Sequence, residues 1–298
     1  MPDNYEDANL KKFYAPEEFK SKISTMNPLF EGVAANDAKD LVNFIIMTLH
    51  EELNKAKKTE INNGIILDQT NQQVMFSNFA KNFMDNNKSI ISDLFYGINC
   101  NITQCGGCGI RTYNYQTYFF LVFPLEEVRK FNYNNNIQLN NFNYNMNVNN
   151  NIVDIYDCFK YDQKINMMSG DNSMYCNYCK NTCNSLMSTN LTTGPLILIL
   201  LLKRGKGIEF NVKINFYEEL NLCGYIQYNN MGCKYKLIGV ISHLGEICMS
   251  GHFIAYCREP LYGTWYKYND AIVTQVNNFT NDVINFAIPY LLIYEKEN

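Results

Sequence analysis

The chain has 298 residues and a formal net charge of −4, with 47% hydrophobic and 18% charged residues. These proportions exclude a disordered or fibrous chain and are sufficient for a sizeable core. The acidic balance argues against nucleic acid as a partner, because such binding needs a basic surface.

We expect no membrane partner either, because the longest apolar run, 196–202, is far shorter than the roughly 20 residues that span a bilayer. The first residues show neither the basic nor the apolar region of a secretion signal. Eleven cysteines without such a signal predict a reducing compartment, the cytoplasm or the nucleus. We therefore expect the thiols to serve metals or catalysis rather than disulfides.

Residues 1–97 are predicted to be helical. The clearest helix begins after Asp37, which can act as its N-cap, and reaches Leu53. Its apolar positions cover more than half of its circumference, which predicts a well-buried helix that would expose an apolar surface if left uncovered. His50, near its end, is expected to be a rim or satisfied core histidine.

From about residue 110 the apolar pattern changes to period two, between Tyr113 and Phe123, which predicts a strand ended by Pro124. Further strand patterns lie at 196–202, 235–242, 253–258, 265–268 and 290–295. Helices followed by a long, mostly antiparallel β region predict the fold class α+β.

Residues 131–151 hold 12 asparagines in 21 positions and show no apolar periodicity. Such a composition cannot support a core, so we expect a mobile surface insertion within the β region.

Two CxxC pairs, Cys105/Cys108 and Cys176/Cys179, have the ligand spacing of a structural zinc site. Two thiolates spaced in this way can face one ion, and two pairs complete a tetrahedral Zn²⁺ shell. The alternatives are four buried thiols or a redox CxxC, although neither pair opens an amphipathic helix after a buried strand. Cys183 is a possible substitute ligand.

His252 follows Gly251 at the start of a predicted strand, where an imidazole can act as a base. Asn269, on the next predicted strand, can accept a hydrogen bond from the second ring nitrogen and fix the tautomer. The same pattern also fits a structural histidine.

The block Gly251-His-Phe-Ile-Ala-Tyr256, followed by Trp265-Tyr-Lys-Tyr-Asn-Asp270, resembles the histidine box of the ubiquitin-specific proteases, the papain-like deubiquitinases. Other parts of the chain resemble further blocks of this family in the same order. Residues 27–30 with 36–41 resemble its helix start, and the cysteine pairs match its zinc fingers. Residues 194–204 resemble a strand that ends in Leu-Lys-Arg, and 290–295 resemble its closing strand.

The resemblance implies a papain-like cysteine protease fold with thumb, palm and zinc-ribbon fingers. Residues 1–97 would form the helical part of the thumb, and residues 98–298 would form the fingers and palm. It also implies a ubiquitin carboxyl-terminal hydrolase, a thiol-dependent enzyme whose partners are ubiquitin and ubiquitinated proteins.

The resemblance assigns a role to each matching residue. His252 would take the proton of the catalytic thiol, Asn269 would hold His252, and Asp270 would help polarise the site. Asp37 matches the residue that pairs with an arginine of the ubiquitin tail. Residues 243–250 resemble the blocking loop, in which His243 would be structural.

The family's nucleophile box has no counterpart in this sequence, which has no cysteine before Cys100, so the thumb is expected to be incomplete. Cys257 falls on the opposite strand face from His252. Cys248 could fold back toward His252 but would lack an oxyanion hole. We therefore expect the chain as given to be an inactive fragment. The alternatives are a non-catalytic ubiquitin-binding relative and a zinc-stabilised scaffold.

Overall fold

The computed structural model describes residues 16–32, 36–56, 68–139, 152–204, 212–228, 232–247 and 250–297. Its first part consists of helices, which are α1 (Glu17–Met26), α2 (Ala38–Leu53), α3 (Gln72–Asn86) and α4 (Ile90–Phe95). The second part contains the strands and two further helices: β1 (Gly97–Cys105), β2 (Arg111–Tyr118), β3 (Phe120–Pro124), α5 (Leu125–Leu139), β4 (Ile152–Asp154), α6 (Ile155–Asp162), β5 (Asn166–Met168), β6 (Met174–Cys176), β7 (Asn181–Cys183), β8 (Ser185–Thr193), β9 (Ile197–Lys203), β10 (Lys213–Asn215), β11 (Glu219–Asn221), β12 (Lys234–Ile247), β13 (Ser250–Arg258), β14 (Trp265–Asn269), β15 (Ile272–Gln275) and β16 (Pro289–Lys296).

Two sheets organise the β region. The large sheet has the order β15-β14-β13-β12-β16-β9-β3, with β11 on β12, and the small sheet has the order β2-β1-β8-β5. All the neighbours in these sheets are antiparallel except β3 and β9, and β4 forms a separate parallel pair with β10. The five strands predicted after residue 195 are confirmed as β9, β12, β13, β14 and β16. No described helix is both long and apolar enough to cross a membrane.

Strand β9 lies inside the large sheet with apolar contacts on both faces. Leu198, Leu200 and Leu202 pack into the main core with α5 and α6, whereas Ile199 and Leu201 pack with α2 and α4. Because both faces are buried, this strand reads as a continuous apolar run rather than an alternating one.

Helix α2 begins as predicted, since the Asp37 side chain accepts a hydrogen bond from the Lys39 backbone N–H at 2.8 Å. The prediction that it is well buried is wrong. Ile46 packs against α4, but Met47 and Leu53 remain 44% and 42% exposed. One side of the helix is therefore covered, while apolar surface remains on another. His50 is satisfied by the side chains of Ser89 and Asn87, as expected.

The single strand predicted from Tyr113 to Phe123 is two strands in different sheets. Strand β2 ends at Tyr118 in the small sheet, and β3 begins at Phe120 in the large sheet. The buried residues change phase between Tyr115 and Tyr118, which are three positions apart, so one uninterrupted pleat cannot bury both.

The asparagine-rich stretch is not wholly irregular, because α5 continues through Leu139. Leu125 and Val128 anchor its start in the main core. Glu126 accepts two hydrogen bonds of 2.7 Å from Arg129, one turn further along the helix. These contacts precede the asparagines in the chain. They stabilise a helix that the composition of the asparagine-rich stretch does not predict. Residues 140–151 lie outside the described residues.

Candidate functional site

His252 lies at the exposed end of a row of side chains on β13. Its strand pairs with β12, placing Leu244 opposite His252, and β14 follows on the other side. Ile254 and Tyr256 point to the same face and are buried, whereas the His252 side chain is 43% exposed. The imidazole is therefore held by a rigid sheet but remains accessible.

The predicted hydrogen bond between His252 and Asn269 is present, with 2.6 Å between the imidazole Nε2 and the amide Oδ1. Nε2–H donates to this oxygen, so Nδ1 carries the free lone pair of the neutral ring. No described residue makes a hydrogen bond to Nδ1. The Asp270 carboxylate lies 3.6 Å from Nε2 and is 81% exposed, on a residue with φ of 49°.

Gly251 precedes His252 at a point where a side chain has no room. A Cβ there would lie 2.0 Å from Nε2 of His243 and 2.8 Å from the carbonyl oxygen of Leu244. His243 is itself 7% exposed and meets the Phe253 ring edge-on, and burial lowers its pKa. The glycine thus lets a buried ring pack directly behind the strand that carries His252.

Most of the predicted blocking loop is a strand. Strand β12 continues to Ile247 and pairs with β13 at Ser250, because the cross-strand hydrogen bonding of the hairpin extends beyond His243. Cys248, the proposed alternative nucleophile, lies outside the described residues.

None of the described cysteines has its sulfur in hydrogen-bond contact with His252. Cys257 pairs with Gly239 and Tyr266 on neighbouring strands, five positions after His252. Alternation along β13 therefore turns its thiol to the opposite face, as the sequence indicated.

Asp37 has a second partner besides helix α2. The Tyr290 hydroxyl donates to Asp37, with 2.7 Å to each of the two carboxylate oxygens. Burial, together with this hydrogen bond, raises the pKa of Tyr290. Tyr290 could not be predicted from the sequence, because no local pattern connects residues 253 positions apart.

The four predicted cysteine ligands come together at the end of the small sheet. The sulfurs of Cys105 and Cys179 are 3.8 Å apart, those of Cys108 and Cys176 are 3.7 Å apart, and all four lie within 4.8 Å of one another. Backbone N–H groups of residues 108 and 107 lower the pKa of Cys105 to about 6, which favours the thiolate. This cluster can hold a metal ion.

The glycines of the first knuckle allow the second cysteine-bearing segment to approach closely. A Cβ on Gly106 would meet the backbone oxygen of Asn184, and one on Gly107 would lie 2.7 Å from the Cys183 sulfur. Cys183 therefore lies beside the knuckle but outside the set of four close sulfurs.

One disulfide departs from the expectation that thiols would not form such bonds. Cys223 and Cys233 are joined, with 4.9 Å between their Cα atoms. The cause is the pairing of β11 with β12, continued by a hydrogen bond from the Leu222 N–H to the Cys233 carbonyl, which places Cys223, the residue after Leu222, next to Cys233.

Residues 4–294 match the family model described as ubiquitin carboxyl-terminal hydrolase. The human protein ubiquitin carboxyl-terminal hydrolase 2 is 26% identical over 287 residues, covering 94% of this chain and 44% of its own length. Ubiquitin carboxyl-terminal hydrolase 13 of Saccharomyces cerevisiae is 27% identical over 303 residues, covering 97% and 36%. The chain thus spans less than half of the length of these curated relatives.

Among solved structures, the chain resembles a SAGA DUB module of Ubp8, Sgf11, Sus1 and Sgf73 bound to monoubiquitin, with a TM-score of 0.63 and 21% identity over 94% of this chain and 52% of that one. The same module bound to ubiquitin aldehyde gives a TM-score of 0.60 and 19% identity, covering 94% and 53%. These similarities confirm the predicted α+β fold.

The chain therefore belongs to the ubiquitin carboxyl-terminal hydrolase family.

Proposed function

We propose that this chain supplies the ubiquitin-binding surface and the catalytic base of a thiol-dependent ubiquitin carboxyl-terminal hydrolase. The observation that carries the proposal is the 2.6 Å contact between His252 and Asn269. It orients a half-exposed imidazole so that one nitrogen is held and the other is available for proton transfer.

In this mechanism the Nδ1 atom of His252 takes the proton of a cysteine thiol, and the resulting thiolate attacks the carbonyl carbon at the ubiquitin C-terminus. The imidazolium then returns the proton to the leaving amine as the C–N bond breaks, which leaves a thioester. Water adds to the thioester with Nδ1 again accepting a proton, and the thiol is released. The described residues place no cysteine at Nδ1, so the thiol would come from elsewhere.

Asp270 and Asp37 would each stabilise a positive charge. Asp270 lies 3.6 Å from Nε2 and would stabilise the imidazolium, weakly because it is 81% exposed. Asp37 would accept a hydrogen bond from a cationic residue of the ubiquitin tail, as the family resemblance implies, while it also caps α2.

The four cysteines Cys105, Cys108, Cys176 and Cys179 would hold a structural Zn²⁺. Four sulfurs at about 2.3 Å from a tetrahedral zinc lie about 3.8 Å from one another, and two of the pairs here are 3.8 Å and 3.7 Å apart. The ion would cross-link β1 to the β6–β7 hairpin, in the region that corresponds to the fingers, and would take no part in the chemistry.

A second candidate is a ubiquitin-binding relative without activity of its own. It is favoured by one observation, the absence of hydrogen-bond contact between His252 and any described cysteine sulfur. A zinc-stabilised scaffold that does not bind ubiquitin is the third reading.

One experiment separates these candidates. The chain is incubated with ubiquitin that carries a C-terminal cysteine-reactive electrophile, its intact mass is measured, and its affinity for ordinary ubiquitin is determined by calorimetry. For the proposed function we expect ubiquitin binding without an adduct, and an adduct once a cysteine-bearing segment of a relative is added. Binding without an adduct in the presence of that segment would support the inactive relative, and no binding would support the scaffold.

Matched variants define the role of His252. His252→Ala should abolish the adduct and keep the affinity, whereas Cys257→Ser, on the opposite strand face, should change neither.

A further inference from the structure

The Tyr290 hydroxyl occupies the space between the two oxygens of Asp37. A donor 2.7 Å from both Oδ1 and Oδ2 faces the fork of the carboxylate, because a donor on the outer side of one oxygen would be distant from the other. A guanidinium that binds a carboxylate through two parallel N–H bonds needs this same position.

Besides its two contacts with the Tyr290 hydroxyl, the Asp37 carboxylate has a contact within its own helix that restricts it further. The Lys39 backbone N–H donates to Oδ1 at 2.8 Å, as part of the N-cap of α2. Of the positions on Asp37 that the described residues leave open, the outer side of Oδ2 is the one suited to a new donor. Asp37 is only partly buried, so a ligand can approach it.

Tyr290 is held firmly in this place. Its ring packs on Phe253, the residue after His252, with 5.3 Å between ring centroids. The preceding carbonyl, on Pro289, accepts hydrogen bonds of 3.2 and 3.0 Å from the guanidinium of Arg204. Ser242 is hydrogen-bonded to both the N–H and the carbonyl of Ile288. The start of β16 therefore cannot move easily to withdraw the hydroxyl.

We propose that Tyr290 is a specificity-determining residue for the substrate tail: by filling the fork of Asp37 it restricts the carboxylate to a single N–H donor from the incoming cation. This inference rests on the proposed function, in which a cationic residue of the ubiquitin tail meets Asp37. Asp37 then recognises a positively charged side chain but does not select arginine over lysine. An open carboxylate would select arginine, whose planar fork matches two oxygens at once.

The test measures the affinity of this chain for two ubiquitins, one with its natural tail and one whose tail arginines are lysines. For the natural chain we expect the two dissociation constants to agree within about twofold, because each cation gives one N–H. Tyr290→Phe removes only the hydroxyl and opens the fork, so arginine should then be preferred by about fivefold or more.

Two further variants serve as controls. Tyr294→Phe makes the same change on the same strand, but the Tyr294 hydroxyl donates to the Tyr217 carbonyl and is not among the donors to Asp37, so it should leave the ratio of the two affinities unchanged. Asp37→Asn should weaken binding of both ubiquitins by a similar factor. Thermal melting of each variant checks that it is folded.

Five outcomes are informative. A ratio near one that rises only in Tyr290→Phe supports the inference. A ratio above about fivefold in the natural chain, or an unchanged ratio in folded Tyr290→Phe, overturns it while leaving the proposed function intact. Unchanged affinity in Asp37→Asn overturns it as well, and failure of both ubiquitins to bind the natural chain overturns the proposed function together with it.

Discussion

Replacing Gly251 by alanine should destabilise the protein through a clash behind the strand that carries His252. The added Cβ would lie 2.0 Å from Nε2 and 2.1 Å from Cε1 of His243, and 2.8 Å from the backbone oxygen of Leu244. Carbon atoms pack at about 3.5–4.0 Å, so both the ring and the backbone must shift.

The magnitude follows from how little room the ring has. His243 is 7% exposed and is in edge contact with Phe253, so it cannot simply swing into solvent. Overpacking of this kind costs about 1–3 kcal/mol. In a chain of this size each kcal/mol lowers the melting temperature by about 2–4 °C. We therefore expect a fall of several degrees, with a displacement of the neighbouring His252.

Denaturant and thermal unfolding of Gly251→Ala measure this cost, with Gly239→Ala as the matched control. Gly239 lies on the partner strand. A Cβ added there would have atoms of Ile293 as its nearest neighbours, at 3.6 Å, which is an ordinary contact. The control should change the free energy of unfolding by about 0.5 kcal/mol at most.

A double variant tests the cause. Adding His243→Ala to Gly251→Ala removes the ring that the methyl group meets, so the two destabilisations should be less than additive by about 1 kcal/mol or more. If Gly251→Ala proved as harmless as Gly239→Ala, or if the two changes were simply additive, the packing argument would be refuted.

Three further outcomes are expected. Burial raises the pKa of Asp162 to about 6 from 3.8; its ionised form therefore weakens the folded state above pH 6. Asp162→Asn should raise the unfolding free energy by about 3 kcal/mol at pH 7.5, an advantage that shrinks between pH 6 and 4 and is absent below pH 4, as denaturant titrations across pH would show. Elemental analysis should find about one zinc per chain, lost in Cys176→Ser and kept in Cys257→Ser, whose thiol is outside the cluster; equal zinc in both variants would contradict the site. His252→Ala should keep ubiquitin affinity within about twofold by calorimetry, because the imidazole acts on the reacting bond; a larger loss would assign it to binding instead.

The sequence determined the features that depend on local pattern. The N-cap at Asp37 and the five late strands follow from residue types and spacing within a few positions, and all are present. The CxxC spacing identified four cysteines whose sulfurs meet. The contact between His252 and Asn269 could also be predicted, because it needs only that two consecutive strands pair.

Tertiary structure decided what depends on how distant segments pack. Helix α5 reaches into an asparagine-rich stretch because Leu125 and Val128 anchor it in the core. The disulfide between Cys223 and Cys233 exists because β11 pairs with β12.

The contact between Tyr290 and Asp37 joins residues 253 positions apart. Neither residue carries a local signal of it, since a hydroxyl and a carboxylate can each be satisfied by water or by many other partners. The sheet fixes the position of β16, and α2 packs with β16 in one apolar cluster, so tertiary packing places Tyr290 at Asp37.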